Sequence, residues 1–391
     1  MYSFDALTKM KQRILLFAIA ACITCLLPCT IGAQARTWTF ASPENVDKSA
    51  RFSSLAVDEF GNLHVAYVTD SDRVKYAFRD ARLSKWFSMD IDNRASFTAL
   101  TLDSQGAPHI CYTQRTMHYA YYDTKRHDWI KQEVSPGSGA IAYYCSVGIS
   151  PIGIPHVTWY QERTAQDTNY LHMRHAELRD GQWNAMTIDD ESQTGKWHTM
   201  IVDKQGVPHL SYDSYVAGSV KYAYWNGRGW SIIPVDSRTS SEQPGRGMGN
   251  CLQFDRDGRA MISYFEDAAL KYSRQKENGG WLIETIASTT KSSTWAGYRS
   301  VQVVDSKGLP HVLYEDAGTL RLAHSDGKAW TIQTLVRPGP ERLRYGSMAI
   351  GPDDVIYVSY CDPYDGSLKV MIGRPTEASA NVEVEQKSST P

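Results

Sequence analysis

Apolar and polar residues alternate with a period of two along nearly the whole chain, in short runs rich in Val, Ile, Tyr and Trp that end in turn-forming residues. That period belongs to half-buried β-strands rather than helices. The pattern itself recurs. Ser54-Leu-Ala-Val-Asp58, then Gly61-Asn-Leu-His64-Val-Ala-Tyr67, then Val74-Lys75-Tyr-Ala77, then Trp86 returns down the sequence. Its turn position falls at Gly61, Gly106, Gly153, Gly206, Gly258, Gly308 and Asp354, 45 to 53 residues apart. Periods of that length mark propellers or repeat arrays. Each unit holds four runs, A to D in chain order, which predicts a four-stranded antiparallel sheet.

The A–B turn reads Asp-x-x-Gly, as at Asp58, Asp103, Asp203, Asp255 and Asp305. The Asp side chain caps such a turn while Gly supplies the positive φ. Run B closes on an aromatic residue in every unit: Tyr67, Tyr112, Trp159, Tyr212, Tyr264, Tyr314 and Tyr360. Run D opens on Trp86, Trp129, Trp183, Trp230, Trp281 and Trp330, but the seventh unit stops after run C at 367–372. The missing piece is at the other terminus, where Trp38-Thr-Phe40 followed by Val46-Asp47 matches Trp86 followed by Ile91-Asp92. The expected fold is therefore an all-β, seven-bladed β-propeller over residues 36–374, closed by the N-terminal strand, with residues 375–391 as a disordered tail. Closure leaves no open sheet edge.

The repeat D-x-x-G-x-P-H-h-x-Y is clearest in Asp203-Lys-Gln-Gly206-Val-Pro-His209-Leu-Ser-Tyr212 and Asp305-Ser-Lys-Gly308-Leu-Pro-His311-Val-Leu-Tyr314. It resembles the repeats of secreted bacterial propellers in the broad sialidase-like (BNR) group. The resemblance implies architecture, not chemistry. The sialidase box S-x-D-x-G-x-x-W is absent, so sialidase activity is not implied. Ulvan-lyase-type polysaccharide lyases also use seven-bladed propellers with His, Tyr and Arg at the site. They enter by analogy only, since none of their motifs matches this chain residue by residue.

With 391 residues, 42% hydrophobic and 21% charged, the chain has ample material for a core and is not a disordered polymer. A formal net charge of −2 argues against a nucleic-acid binder. Lys9, Lys11 and Arg13 precede an apolar run at 14–31 and Ala33-Gln34-Ala35, the layout of a signal peptide cleaved near Ala35. Two alternatives are lipoprotein anchoring at Cys22, after Ile19-Ala20-Ala21, and a retained membrane anchor. No later segment is long and apolar enough to span a bilayer. Removing 1–35 takes away three basic residues and one acidic one and moves the charge to −4, leaving Cys111, Cys145, Cys251 and Cys361 with three possible pairings.

Repetition separates architecture from candidate chemistry. His64, His109, His156, His209 and His311 share one strand B position around a ring, so they cannot converge on one ligand and read as inter-strand hydrogen-bonding groups. The basic residues opening run C (Lys75, His118, His172, Lys221, Lys271, Arg321, Lys369) read as partners of nearby acids such as Glu266 and Asp316. His172 and His175 make a poor metal pair, because an i, i+3 spacing puts them on opposite faces of a strand. No metal and no cofactor is expected.

Binding belongs where the repeat is broken. The D–A connections at 135–144, 236–250, 288–297 and 337–346 and the B–C connection at 161–169 are long, and both kinds share the face around the channel mouth. Basic and aromatic residues stand there: Arg51, Phe97, Trp197, Trp295, Tyr298, Arg344 and Tyr345 as ligand-binding candidates, and His198, Tyr143, Tyr144, Arg246 and Arg299 as catalytic ones. Aromatic faces stack on sugar rings, and Arg presents a planar fork to carboxylate or sulfate. The expectation is a monomeric secreted or envelope propeller that binds an extracellular glycan, an acidic one first, or a protein partner. The alternative is a polysaccharide lyase acting by β-elimination. An arginine would neutralise the uronate, and His198, Tyr143 or Tyr144 would serve as base or acid. A hydrolase would need a carboxylate pair, for which Asp213, Glu266, Asp316 and Asp362 are the residues available. A third reading, an assembly scaffold, calls for a broad exposed apolar patch instead of a pocket.

Overall fold

The alternating runs fold into seven antiparallel sheets arranged as blades of a propeller. The computed structural model describes residues 36–135, 140–165, 168–191, 193–214, 218–237, 248–266, 268–289, 299–339, 344–376 and 385–388. The expected signal segment at 1–35 lies outside them. Blade 1 comprises Phe52–Val57, Leu63–Val68, Val74–Asp80 and Lys85–Asp92, and blade 2 comprises Phe97–Leu102, Pro108–Thr113, Met117–Asp123 and Asp128–Glu133. Blades 3 to 6 begin at Ile141–Ile149, Thr199–Val202, Met248–Phe254 and Ser300–Val304, each followed by three more strands. Blade 7 has Arg344–Ile350, Ile356–Cys361 and Leu368–Thr376 from the C-terminal part. Its outer strand is N-terminal: Thr37–Phe40 and Glu44–Asp47 both pair with Leu368–Thr376, Trp38 opposite Pro375 and Glu44 opposite Val370. The ring closes as the Trp38 motif predicts. Within the segment expected to be a tail, Glu385–Ser388 pairs with the outer strand Ala329–Val336 of blade 6, and 377–384 and 389–391 lie outside the described residues. Among the described residues, no helix is long and apolar enough to cross a membrane.

The turn chemistry is the predicted one. In the first A–B turn, Asp58 Oδ1 accepts from the amides of Phe60 (2.9 Å) and Asn62 (2.8 Å), while Gly61 sits at φ +79°. Asp103, Asp203, Asp255 and Asp305 accept the equivalent amides in blades 2, 4, 5 and 6.

Blades are held to one another by a repeated aromatic contact. The outer-strand Trp of six blades meets, edge to face, a ring on strand C of the preceding blade, while Trp86 of blade 1 donates through Nε1 to Glu44 on the outer strand of blade 7 at 2.9 Å. Tyr76 meets Trp129 (ring centroids 5.1 Å apart), Tyr119 meets Trp183 (5.2 Å), Tyr222 meets Trp281 (5.7 Å) and Tyr272 meets Trp330 (5.4 Å). In blade 3 His175 takes the tyrosine's place and meets Trp230 (5.1 Å); in blade 6 that place is held by Leu322, and His324, two residues on, meets Trp38 (5.1 Å). Trp38 thus fills the slot of an outer-strand Trp. Four of the five strand B histidines bond to the same rings. His64, His109 and His209 reach the hydroxyls of Tyr76, Tyr119 and Tyr222, and His156 reaches His175 at 3.0 Å.

A second clamp lies near the mouth face. The acid ending strand D of one blade accepts the strand B tyrosine hydroxyl of the next: Asp47 from Tyr67 (2.6 Å), Asp92 from Tyr112 (2.8 Å), Asp189 from Tyr212 (3.0 Å) and Asp236 from Tyr264 (2.6 Å). Lys75, Lys221, Lys271, Arg321 and Lys369 all pair with acids there, as expected of the basic residue opening strand C.

Candidate functional site

The seven inner strands line the central channel, and one residue column sets its walls. Ser54, Ser146, Cys251 and Ser347 occupy equivalent positions and accept the backbone amides of Leu100, Met200, Gln302 and Leu55, each in the next blade, at 3.0 to 3.2 Å. These bonds draw neighbouring strands together and leave a cavity of about 250 Å³ along the axis.

Two residues before that column, the chain enters each inner strand at the mouth. The residues there, in blade order, are Phe52, Phe97, Tyr144, Trp197, Gly249, Arg299 and Tyr345. The first four rings touch in sequence: Phe52 on Phe97 at 4.6 Å, Phe97 on Tyr144 at 4.4 Å and Tyr144 on Trp197 at 4.4 Å, each tilted by 45 to 48°. They form a continuous aromatic arc over blades 1 to 4, all half-buried, and all line the cavity. Tyr144 (φ +47°) and Trp197 (φ +51°) are in the left-handed region, which bulky residues adopt only under constraint. At Tyr144 the cause is a β-bulge between Tyr143 and Cys145, which turns the ring into the mouth. Asn250, 4% exposed, fixes Trp197: its Nδ2 donates to the Trp197 carbonyl (2.6 Å) and its Oδ1 accepts from Ser211 (2.6 Å).

The facing wall is polar. Gly249 leaves a gap in the ring of side chains, and half-buried Arg299 follows it, with Ser300 Oγ donating to the Gly249 carbonyl at 2.6 Å. Below them Gln302 is 1% exposed, and neither end of its side-chain amide has a partner among the described residues. A buried amide in that state is satisfied by water or a ligand. The cavity therefore has one wall of ring faces and one of hydrogen-bonding groups.

Beside the arc, at the blade 3–blade 4 seam, lies a buried titratable cluster. Asp213 is 2% exposed, and burial pushes its carboxyl well above the usual carboxylate range, opposed by the charge of Lys196. The Lys196 ammonium stands 5.7 Å from the ring centre of Tyr160, whose hydroxyl burial also raises. His198, 8% exposed, bonds through Nδ1 to the Gly195 carbonyl at 3.0 Å, and burial lowers its pKa to about 4, so the ring is neutral at physiological pH. A carboxyl with a raised folded-state pKa holds a proton that the unfolded chain releases. Wild-type stability therefore falls as pH rises above the ordinary Asp value, by about 1.4 kcal/mol per unit until the folded pKa is passed. Asp213→Asn, which cannot ionise, is expected to gain stability over wild type at pH 8 while matching it near pH 4. Urea unfolding at the two pH values measures this, and an equal difference at both would show that Asp213 is ionised in the folded protein.

The candidate residues divide as follows. Phe97, Tyr144, Trp197, His198 and Arg299 all line the cavity. Tyr143 is paired with Tyr160 one residue before the bulge, half-buried, its pKa raised by burial and then by the charge of Glu162. Arg51 faces Asp72, with which it forms an ion pair at the rim. Arg344 and Tyr345 open the inner strand of blade 7, where Arg344 pairs with Cys361, and their side chains are outside the description. Arg246, Trp295 and Tyr298 lie outside the described residues. The B–C connection expected at 161–169 is mostly strand: Pro155–Ala165 and Thr168–Arg179 remain paired out to Ala165 opposite Thr168. Sequence reasoning missed Asn250 and Gln302, which no motif marks, and Gly249, the blade 5 residue at the mouth.

No family model and no curated protein matches the chain. Among solved structures it is similar to an ulvan lyase of polysaccharide lyase family PL25 bound to -[GlcA(1-4)Rha3S]- (12% identity, 85% of this chain and 95% of that one, TM-score 0.54). It is also similar to a protein of unknown function from Dyadobacter fermentans (10% identity, 87% and 99%, TM-score 0.53) and to Trypanosoma rangeli sialidase (11% identity, 86% and 60%, TM-score 0.50). At these identities the likeness shows the shared propeller fold.

Proposed function

We infer that this is a secreted or envelope propeller, of the broad sialidase-like group its repeats resemble, that binds an acidic glycan at the channel mouth. The observation carrying the reading is the arc Phe52–Phe97–Tyr144–Trp197 facing Arg299. A pyranose ring lays its apolar face on such a wall and turns its hydroxyls and carboxylate or sulfate to the polar side. The test is a glycan array probed with the chain from residue 36 onward, followed by titration of the best hit. Trp197→Ala is expected to weaken binding at least about tenfold, or about 1.4 kcal/mol. Arg299→Gln is expected to abolish the preference for charged over neutral sugars. Phe87→Ala, on the exposed outer strand of blade 1, serves as the control. Unchanged affinity in Trp197→Ala would move the site elsewhere.

His198 supports a second reading, β-elimination on a uronic-acid polymer. It is a neutral imidazole in the cavity wall, the protonation state a base requires. Incubating the array hit with the protein and following the ultraviolet absorbance of the unsaturated uronate separates the two. Binding with no rise in absorbance leaves the lectin-like function alone.

A further inference from the structure

Four cysteines are described, and they are not equivalent. Cys361 donates to the Ala50 carbonyl at 2.8 Å, and Cys251 accepts the Gln302 amide at 3.2 Å, each committed to a backbone contact between blades. Cys111 and Cys145 instead meet each other. Cys111, opposite Ala99 on strand B of blade 2, is fully buried, and Cys145, opposite Trp159 on the inner strand of blade 3, packs against the same apolar cluster. The two are neighbours in that cluster, and Cys145 adds to the burial that pushes the Cys111 thiol up. Cys145 is half-buried and lines the channel cavity. We propose that Cys111 and Cys145 are a disulfide-forming pair that joins blade 2 to blade 3 at the channel wall.

The route follows from exposure. The Cys145 thiolate, reached through the channel, attacks a small dialkyl disulfide. A bond forms to one of its sulfurs, and the other leaves as thiolate. Cys111, whose thiol burial pushes up, then loses its proton and displaces the second small thiol. The protein loses two electrons and two protons, and one dialkyl disulfide becomes two thiols. The bond would pin the bulge that turns Tyr144 into the mouth, so oxidation would stiffen the middle of the aromatic arc.

Treating the native chain with 2-hydroxyethyl disulfide, alkylating in denaturant and mapping tryptic peptides without reductant tests this. The expected product links the peptide ending at Arg115 to the one starting at Gln132, is reversed by dithiothreitol, and unfolds at a higher temperature than the reduced protein. Cys111→Ser is expected to stop at a mixed disulfide on Cys145, whereas Cys145→Ser leaves Cys111 free to alkylate. Persistence of the mixed disulfide in the wild type, free alkylation of both residues, or a link to Cys251 or Cys361 would overturn the pairing. The wild-type map decides even if a variant does not fold.

Discussion

Trp38→Ala is expected to lower the unfolding free energy by about 3–5 kcal/mol, and deletion of 36–47 is expected to leave a protein that associates and does not fold as a monomer. Trp38 is 2% exposed within an apolar cluster of Leu313, Leu322, Met348, Val358 and Met371, which belong to blades 6 and 7. Its ring lies 4.6 Å from His311 and 5.1 Å from His324, and its Nε1 donates to the Asp354 carbonyl at 3.0 Å. Gln333 Nε2 donates back to the Trp38 carbonyl at 3.0 Å, and Arg36 pairs with Asp354 at 2.5 Å. Removing the segment therefore strips a cavity-sized side chain, several buried hydrogen bonds and the whole outer edge of blade 7 at once. Leu368–Thr376 would then present a row of unpaired backbone groups to other chains. Urea unfolding measures the first effect and size-exclusion chromatography the second. A 36–48 peptide added in trans is expected to restore the monomer. A deletion protein that stays monomeric and folded would mean that the ring holds without its N-terminal strand.

That closure was legible because Trp38 sits in the same spacing as the outer-strand tryptophans. The period-2 runs, the Asp-capped turns and the structural role of the strand B histidines were legible for a related reason. Each is repeated, and repetition averages out local accidents. The mouth was harder to read because it is where repetition fails. Bulges between Tyr143 and Cys145, Met248 and Cys251, and Arg344 and Ser347 insert residues into the inner strands of alternate blades. Counting back from a sequence motif then does not arrive at the residue that reaches the channel, as at Gly249. Arg51 illustrates a second limit, because its acid partner Asp72 lies across a turn and no spacing rule pairs them. Composition suggested aromatic and basic residues at one face. It did not suggest that four rings would join into one arc, since that follows from the ring order of the blades and not from any local sequence.

The two strand C histidines that meet outer-strand tryptophans carry the last expectation, which concerns pH. His175 is 3% exposed and its pKa falls to about 3, through burial and then the neighbouring His156, itself lowered to about 4 chiefly by burial. His324, 3% exposed, falls to about 4 by burial and then the charge of His311. These rings stay neutral in the folded protein, while the unfolded chain takes up protons below about 6.5. Their stabilising effect is thus complete above about pH 6.5 and is lost as pH falls toward their folded values, each by about 1.4 kcal/mol per pH unit. The losses at His156, His175 and His324 act in the same direction and add as pH falls below about 6.5. Cooperative unfolding well above the ordinary carboxylate range is the expected result, with the blade 3–4 and blade 6–7 seams opening first, because His175 and His324 face Trp230 and Trp38 there. Tyrosine already fills the position of His175 in blades 1, 2, 4 and 5 (Tyr76, Tyr119, Tyr222 and Tyr272) and the position of His324 in blades 2 and 4 (Tyr121 and Tyr224). The double variant His175→Tyr, His324→Tyr should therefore pack while losing two of the titrating groups, and its acid-unfolding midpoint should move down by a pH unit or so. Tryptophan fluorescence followed from pH 8 to pH 3 reads the midpoint directly. If wild type and variant unfold at the same pH, the histidine seams are not what limits the ring in acid, and the protonation of carboxylates such as Asp47 and Asp255, which ion pairs hold low, would be the cause instead.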